Sequence, residues 1–286
     1  MHRWFVRLMG GLAMMGPVWS DPCVGQERAK PRLLPPRELV QADRLLIIAH
    51  RGASAYAPEN TLAAFRLGVQ QGADLVEDDY HASADGQLIV IHDATLDRTT
   101  DAVKRWGGKR ILVKSKTLED LRQLDAGSWK DPKFAGEKLP TFNEAVLAIL
   151  EGSVPLLERK AGTPEQTLSE LKKIDAVEKV VVQSFDWLFL TQLHKLEPKI
   201  VLGALGEGEL TDQKLRVAKQ TGACVIGWEH KAIDEDAVRR VHAAGLRIWA
   251  WTVDDEKDIK RLKALGINGI ITNRPDATRR VVQTKD

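Results

Sequence analysis

The sequence predicts a (β/α)₈ barrel that carries a β-hairpin and a small insertion after its second strand. Three observations predict it. Short, continuous apolar runs alternate with helix-patterned stretches from Leu45 onward, and eight such units can be counted. Strands buried on both faces, as in a parallel sheet covered by helices, read as continuous runs rather than alternating ones. The chain has 286 residues, and a barrel of this kind takes about 250. The runner-up is an open doubly wound sheet, but no glycine-rich dinucleotide loop follows the first run.

The 43% hydrophobic and 29% charged residues place the chain among ordinary globular proteins. A formal net charge of +2 offers no concentrated basic face, which argues against nucleic acid or a polybasic membrane contact.

Met1 to Ser20 has Arg3 and Arg7, no acid, and an apolar run from Leu8 to Trp19. This is the layout of an export signal, so the protein is expected to be periplasmic or secreted. The run is too short to span a bilayer, which takes about 20 apolar residues. Residues 21–43, with Pro31, Pro35 and Pro36, read as a linker rich in proline and charge, leading into a barrel domain over 44–286. Two cysteines, Cys23 and Cys224, exclude a disulfide framework and leave one bridge open.

The barrel strands are expected at Leu45–His50, Asp74–Tyr80, Pro155–Lys160, Val180–Ser184, Ile200–Leu205, Cys224–Trp228, Arg247–Thr252 and Gly269–Thr272. Asn60-Thr61 can cap a helix through Gln71, and Asp212, Asp234 and Asp254 each stand where a helix would start. Gly72, Gly222, Gly245 and Gly266 stand where helices would end. The run Leu88–His92 follows the second strand too closely for a parallel crossover. It must fold back antiparallel through Ala84-Asp85-Gly86, as a hairpin above the barrel. The stretch 93–141 is long for a loop, holds a short helix near Leu118–Leu124, and reads as an insertion covering the site.

Barrel enzymes carry their chemistry at the C-terminal ends of the strands. His50 ends the first strand, Glu77 and Asp79 lie near the end of the second, and Glu158 and Lys160 end the third. Residues two apart on a strand share a face, so Glu77 and Asp79 converge, whereas Asp78 should point away. Three carboxylates repel unless a cation sits among them, and hard oxygen ligands select Mg²⁺ or Ca²⁺, with Mn²⁺ a third choice. The plainer alternative is a set of ion pairs with Lys160 and Arg51. The hairpin returns His92 level with the carboxylates, where two histidines can divide the work of general acid and general base. Among the other histidines, only His230 follows a strand end.

Several segments then carry a resemblance in order. They are His50-Arg51-Gly52, Pro58-Glu59-Asn60-Thr61, Gly72-Ala73-Asp74, Glu77-x-Asp79, Asp85-Gly86, His92-Asp93 and Arg98-Thr99-Thr100. Glu158-x-Lys160, Gln183-Ser184-Phe185, Trp251-Thr252-Val253 and Thr272-Asn273-Arg274-Pro275 continue the series. Over about residues 45–280 the chain resembles the glycerophosphodiester phosphodiesterase family. Ala55 stands in place of a glycine, and Arg159 and Tyr80 stand where aliphatic residues are commoner. No chemical group is lost by these departures. The resemblance implies a divalent metal on Glu77, Asp79 and Glu158, and His50 with His92 as the acid/base pair. It implies phosphate contacts from Arg51 and Lys160 and an apolar wall at Trp251. Glu59 and Asn60 would shape the loop beside His50. The implied substrate is a small glycerophosphodiester, cleaved to glycerol 3-phosphate and an alcohol by water or through a cyclic phosphate. Two other readings stand beside it: a phospholipase D-like or phosphoinositide-cleaving lipid enzyme, and a non-catalytic phosphate-binding barrel.

Overall fold

The computed structural model describes residues 1–2 and 33–284. Most of the expected export signal, Cys23 and the early part of the expected linker lie outside the described residues. Eight parallel strands close into a barrel: β1 (Leu46–Ala49), β2 (Leu75–Ala82), β4 (Val154–Arg159), β5 (Val181–Ser184), β6 (Val201–Gly206), β7 (Val225–Glu229), β8 (Arg247–Trp251) and β9 (Gly269–Thr272). Closure comes from the pairing of β1 with both β2 and β9. The ninth strand, β3 (Leu88–Val90), pairs antiparallel with β2, placing Tyr80 opposite Val90. That is the predicted hairpin, and the expected strand positions agree with the observed ones to within two residues at either end.

The helices follow the strands as the alternation requires. They are α1 (Pro36–Leu39), α2 (Leu62–Gln70), α3 (Ala102–Trp106), α4 (Leu118–Gln123), α5 (Phe142–Ile149), α6 (Pro164–Lys173), α7 (Trp187–Leu196), α8 (Asp212–Gln220), α9 (Glu235–Ala243), α10 (Glu256–Ala264) and α11 (Pro275–Gln283). Their starts are written in Thr and Asp side chains that accept from free backbone N–H groups. Thr61 caps α2, Thr211 caps α8, Asp234 caps α9 and Asp255 caps α10. Two expected caps therefore shift by one residue, from Asp212 to Thr211 and from Asp254 to Asp255. Asn60 does not cap α2 and is used elsewhere.

Three apolar layers hold the fold. The outer cluster lies between strands and helices, with Phe65, Tyr80, Phe142 and Trp228 among its largest members. The inner cluster fills the barrel with Leu46, Ile48, Leu75, Val154, Leu156, Val181, Val201, Val225, Trp249 and Ile271. Leu39 and Val40, at the end of α1, belong to this inner cluster. The folded unit thus reaches back into the segment expected to be linker, because a proline-started turn tucks two apolar side chains beneath the barrel. Arg247 fixes that turn by donating to the carbonyl of Gln41 at 2.9 Å. The third cluster is the insertion's own core, where Leu96, Ala102, Val113, Leu121, Leu124, Ala126 and Leu139 pack on Ile89 and Ile91. No helix among the described residues is long and apolar enough to cross a membrane.

Candidate active site

A tight turn at the end of β1 exposes His50 and Arg51. Arg51 and Gly52 take φ of 55° and 79°, the left-handed region that glycine enters freely. A Cβ on Gly52 would lie 2.5 Å from the backbone carbon of Ala64, so only glycine fits here. The turn is tied to the second strand, because Arg51 N–H donates to Glu77 Oε2 at 2.6 Å and Gly52 N–H to the Glu77 carbonyl at 3.2 Å.

Glu77 and Asp79 alternate with outward-facing Val76 and Tyr80 on β2, and Glu158 pairs in register with Asp79 across β2 and β4. All three are buried. Among the described residues they form the group whose ligand atoms all lie within 4.8 Å of one another. Lys160 bonds to Glu158 and lies 3.2 Å from Asp79 Oδ1, and Arg51 Nε lies 3.3 Å from Asp79 Oδ2. The carboxylate cluster and its ion pairs with Lys160 and Arg51 therefore coexist.

The ion pairs leave the cluster unbalanced. Burial, then Asp79 and Glu158, raise the pKa of Glu77 well above the usual carboxylate range. Burial, and then Asp79, push Glu158 up to about 7. Burial also opposes the charge on Asp79, but Lys160 and Arg51 outweigh it and bring the pKa down to about 2. Glu77 Oε1 and Asp79 Oδ1 are buried without a hydrogen bond among the described residues. Asp79 Oδ1 has Lys160 Nζ 3.2 Å away as an ion pair, but Glu77 Oε1 has no such neighbour. A buried carboxylate oxygen left unsatisfied within a set of three carboxylates is what a hard divalent cation requires. The residues present fit such an ion.

Asn60 serves this cluster rather than the helix. Its backbone takes φ 58°, and its side chain donates to Asp79 Oδ2 at 2.9 Å while accepting from Asp79 N–H at 3.1 Å. Asp78 is fully buried between Glu77 and Asp79, and neither of its oxygens has a hydrogen bond among the described residues. Burial, then Asp79, hold its carboxyl well above the usual range. An unpartnered buried polar group costs about 1–3 kcal/mol. Asp78→Val, a strand-forming replacement, should therefore raise the thermal midpoint by several degrees. An unchanged or lower midpoint in calorimetry would contradict this account of Asp78.

The two histidines have different partners. His50 Nδ1 lies 2.7 Å from Asn273 Oδ1. Asp254 settles the orientation of that amide, because Asn273 Nδ2 donates to Asp254 Oδ2 at 2.6 Å and must face it. The amide oxygen can only accept, so Nδ1 of His50 carries the proton and Nε2 is bare. Burial, and then Arg51, lower the His50 pKa to about 4. His92 stands two residues beyond Val90 on the hairpin, and its Nδ1 lies 2.7 Å from Asp93 Oδ1. Arg98 grips the same carboxylate at 2.8 and 2.9 Å, which holds Asp93 well below the usual carboxylate range. His81 Nε2 lies 3.0 Å from the His92 carbonyl oxygen.

His50, Arg51, Glu77, His92, Glu158, Lys160 and Trp251 line one cavity of about 210 Å³ at the C-terminal mouth of the barrel. Asp79 lies just beneath it. Phe185, Leu205, Trp251 and Ile271 supply the apolar lining, with Phe185 edge-on to Trp251 at 5.6 Å and Lys160 Nζ 6.0 Å from the Phe185 ring. Gln183 also lines the cavity. Glu59 lies outside, in a second cavity of about 510 Å³ that shares His50 and Arg51 and is walled by Trp129 and Lys130 of the insertion. Lys130 Nζ donates to the Ser54 carbonyl at 2.9 Å, so the insertion does lean over the site. His230 takes no part; it sits near Asp258 and lines neither cavity. The sequence alone assigns no site role to Asn273, Asp93, Arg98, Gln183 or Phe185, and reads Asp254 only as a helix start. All but Asp254 lie in the segments that carry the resemblance, and for Asp93 and Asn273 the available signal is a polar residue directly after a strand-end histidine or a barrel strand.

The family model described as the glycerophosphoryl diester phosphodiesterase family matches residues 50–277. The chain belongs to this family. It is similar to the glycerophosphodiester phosphodiesterase of Bacillus subtilis, at 34% identity over 266 residues, covering 85% of this chain and 88% of the relative. The Caldanaerobacter subterraneus glycerophosphodiester phosphodiesterase is 33% identical over 240 residues, covering 82% and 96%. Among solved structures, an Oleispira antarctica phosphodiesterase in complex with the product sn-glycerol-3-phosphate superposes with a TM-score of 0.77. It is 29% identical, with 86% of this chain and 99% of that one covered. The glycerophosphoryl diester phosphodiesterase fold thus spans the whole barrel and its hairpin.

Proposed function

We propose that the protein is a metal-dependent phosphoric diester hydrolase that cleaves small glycerophosphodiesters to sn-glycerol 3-phosphate and an alcohol. The observation that carries this reading is one cavity lined by two histidines with different partners and by two members, Glu77 and Glu158, of a buried three-carboxylate cluster. Similarity to relatives of that activity supports it.

Glu77, Asp79 and Glu158 would hold Mg²⁺, Ca²⁺ or Mn²⁺, which when bound supplies Lewis-acid polarisation of the phosphate. Arg51 and Lys160 would contact the phosphate oxygens and offset charge developing on them. Phe185 and Trp251 would pack on the carbon skeleton of the glycerol. His50 is suited to be the general base: its Nδ1 proton is fixed by Asn273, and its Nε2 lone pair is free to take the proton of the attacking hydroxyl. His92 is suited to be the general acid, because Asp93 supplies the counter-charge that a doubly protonated ring needs. The oxygen–phosphorus bond to the attacking water or glycerol 2-hydroxyl forms, the bond to the alcohol breaks, and His92 delivers the proton to the departing alkoxide. Where the 2-hydroxyl attacks, one water then opens the cyclic phosphate, with His92 taking the water's proton and His50 returning its own to the 2-oxygen.

The lipid reading is disfavoured by the insertion, whose aromatics each have a lysine over the ring: Lys116 over Trp106 at 4.2 Å, Lys130 over Trp129 at 6.0 Å and Lys133 over Phe134 at 5.0 Å. Export remains part of the proposal on the strength of Arg3, Arg7 and the run Leu8–Trp19. N-terminal sequencing of the mature protein tests it.

The function is tested with glycerophosphocholine, glycerophosphoethanolamine, glycerophosphoinositol and lysophospholipids in defined metals. Each turned-over deacylated diester should release one sn-glycerol 3-phosphate, with activity lost in excess chelator and restored by added cation. Turnover of lysophospholipids alone, or full activity without metal, would sink the reading.

A further inference from the structure

One arginine touches the partners of both halves of this chemistry. The Arg98 guanidinium makes four hydrogen bonds to two carboxylates. Nε and Nη2 donate to Asp93 at 2.8 and 2.9 Å, and Nη1 and Nη2 donate to Glu59 at 2.8 and 2.7 Å. Asp93 in turn holds His92 Nδ1 at 2.7 Å. Glu59 in turn accepts from Arg51 Nη1 at 2.9 Å. The chain His92–Asp93–Arg98–Glu59–Arg51 is therefore unbroken. It joins the hairpin side of the cavity to the loop after β1.

We propose that Arg98 is a positioning residue that sets His92 and Arg51 together, through Asp93 and Glu59. The inference rests on the reading of His92 as the acid and Arg51 as a phosphate ligand. The planar fork of a guanidinium can satisfy two carboxylates at once, whereas an ammonium acts as a point charge. The Arg98 side chain is 44% exposed, whereas Glu59 and Asp93 are only 13% and 27% exposed. Removing it therefore also costs some stability through the carboxylates left behind. The functional loss is separated from unfolding by measuring the thermal midpoint beside the kinetics. The same exposure leaves the gap open to a small solute.

The test compares Arg98→Ala, Arg98→Lys, Asp93→Asn and Glu59→Gln in the metal-loaded protein. Arg98→Ala should lower kcat/KM about 10–100-fold, divided between a lower kcat and a higher KM, in protein that calorimetry shows to be folded at the assay temperature. Asp93→Asn should move kcat alone, and Glu59→Gln should move KM alone. Guanidinium ion at sub-denaturing concentration should partly restore Arg98→Ala, and Arg98→Lys should stay close to the alanine variant. Calorimetric affinity for sn-glycerol 3-phosphate should fall alike in Arg98→Ala and Glu59→Gln. An Arg98→Ala variant in which only one constant moves, or neither, overturns the shared clamp. So does a loss that guanidinium leaves untouched. If the wild-type protein turns over no glycerophosphodiester but the binding pattern holds, the functional reading fails and the clamp stands.

Discussion

Replacing His92 by alanine should lower kcat roughly 10²–10⁴-fold on a glycerophosphodiester with an alkyl leaving group. The loss should shrink on glycerol p-nitrophenyl phosphate. A nitrophenolate departs without a proton, so an enzyme lacking its acid still works on that ester. His50→Ala should lose a comparable factor on both substrates, because each attack needs a base. This contrast turns the two hydrogen-bond partners into a kinetic statement. Asn273 holds His50 in the form that accepts a proton, and Asp93 supports the form of His92 that gives one. The reverse pattern, with His50→Ala spared by the activated leaving group, would exchange the two assignments. Equal losses for both variants on both substrates would remove the division of labour altogether.

The second large effect concerns the carboxylate cluster. Glu158 has its pKa raised to about 7, by burial first and Asp79 next, and Glu77 is raised as well. A carboxyl raised in the folded state contributes stability that is fully present below its unfolded pKa, about 4.3. That contribution is lost as pH rises through the folded value. His50, depressed to about 4, works the other way, but its window closes near its unfolded pKa of about 6.5. The two oppose each other up to about pH 6.5, so the metal-free protein should lose thermal stability between about pH 6.5 and 8. The loss is about 1–2 °C from Glu158 net of His50, at about 2–4 °C per kcal/mol, with the raised Glu77 adding in the same direction. Saturating Mg²⁺ or Mn²⁺ should reverse the loss, since a ligand at about 100 times its Kd adds about 2.7 kcal/mol. Glu77→Gln removes one charge from the cluster. It should raise the metal-free midpoint at pH 8, flatten the pH dependence, reduce the metal-induced shift, and cost at least about 100-fold in kcat/KM. A Glu77→Gln protein with the wild-type metal shift would show that the ion is held elsewhere. Scanning calorimetry at the two pH values, with and without cation, decides it.

Much of this was legible in the sequence because the determinants are local. Continuous apolar runs marked the strands. The seven-residue gap before Leu88 forced the hairpin, and the hairpin brought His92 to the carboxylates. The i, i+2 spacing of Glu77 and Asp79 put both on one face. What escaped depends on pairing between distant strands. Asn273 meets His50 across 223 positions, and no spacing rule announces that. Asp254 and Asp255 are adjacent and chemically equal, and only the fold reveals which caps α10 and which steadies Asn273. Asn60 looked like a cap because Asn commonly caps, yet its left-handed backbone aims it at Asp79. The turn at Pro36 escaped for another reason: its two apolar residues are too few to show a period.

The insertion packs around a hydrophobic cluster of its own, resting on Ile89 and Ile91 of the hairpin. His92, Asp93 and Arg98 travel with that unit, while His50, the carboxylates and Lys160 travel with the barrel. The proton donor is thus housed in a cassette, and the base and cation site in a chassis. A lineage could exchange the cassette and acquire a preference for another departing alcohol without disturbing the rest. Grafting a relative's cassette between β2 and α5 would put that evolutionary freedom within reach of the laboratory.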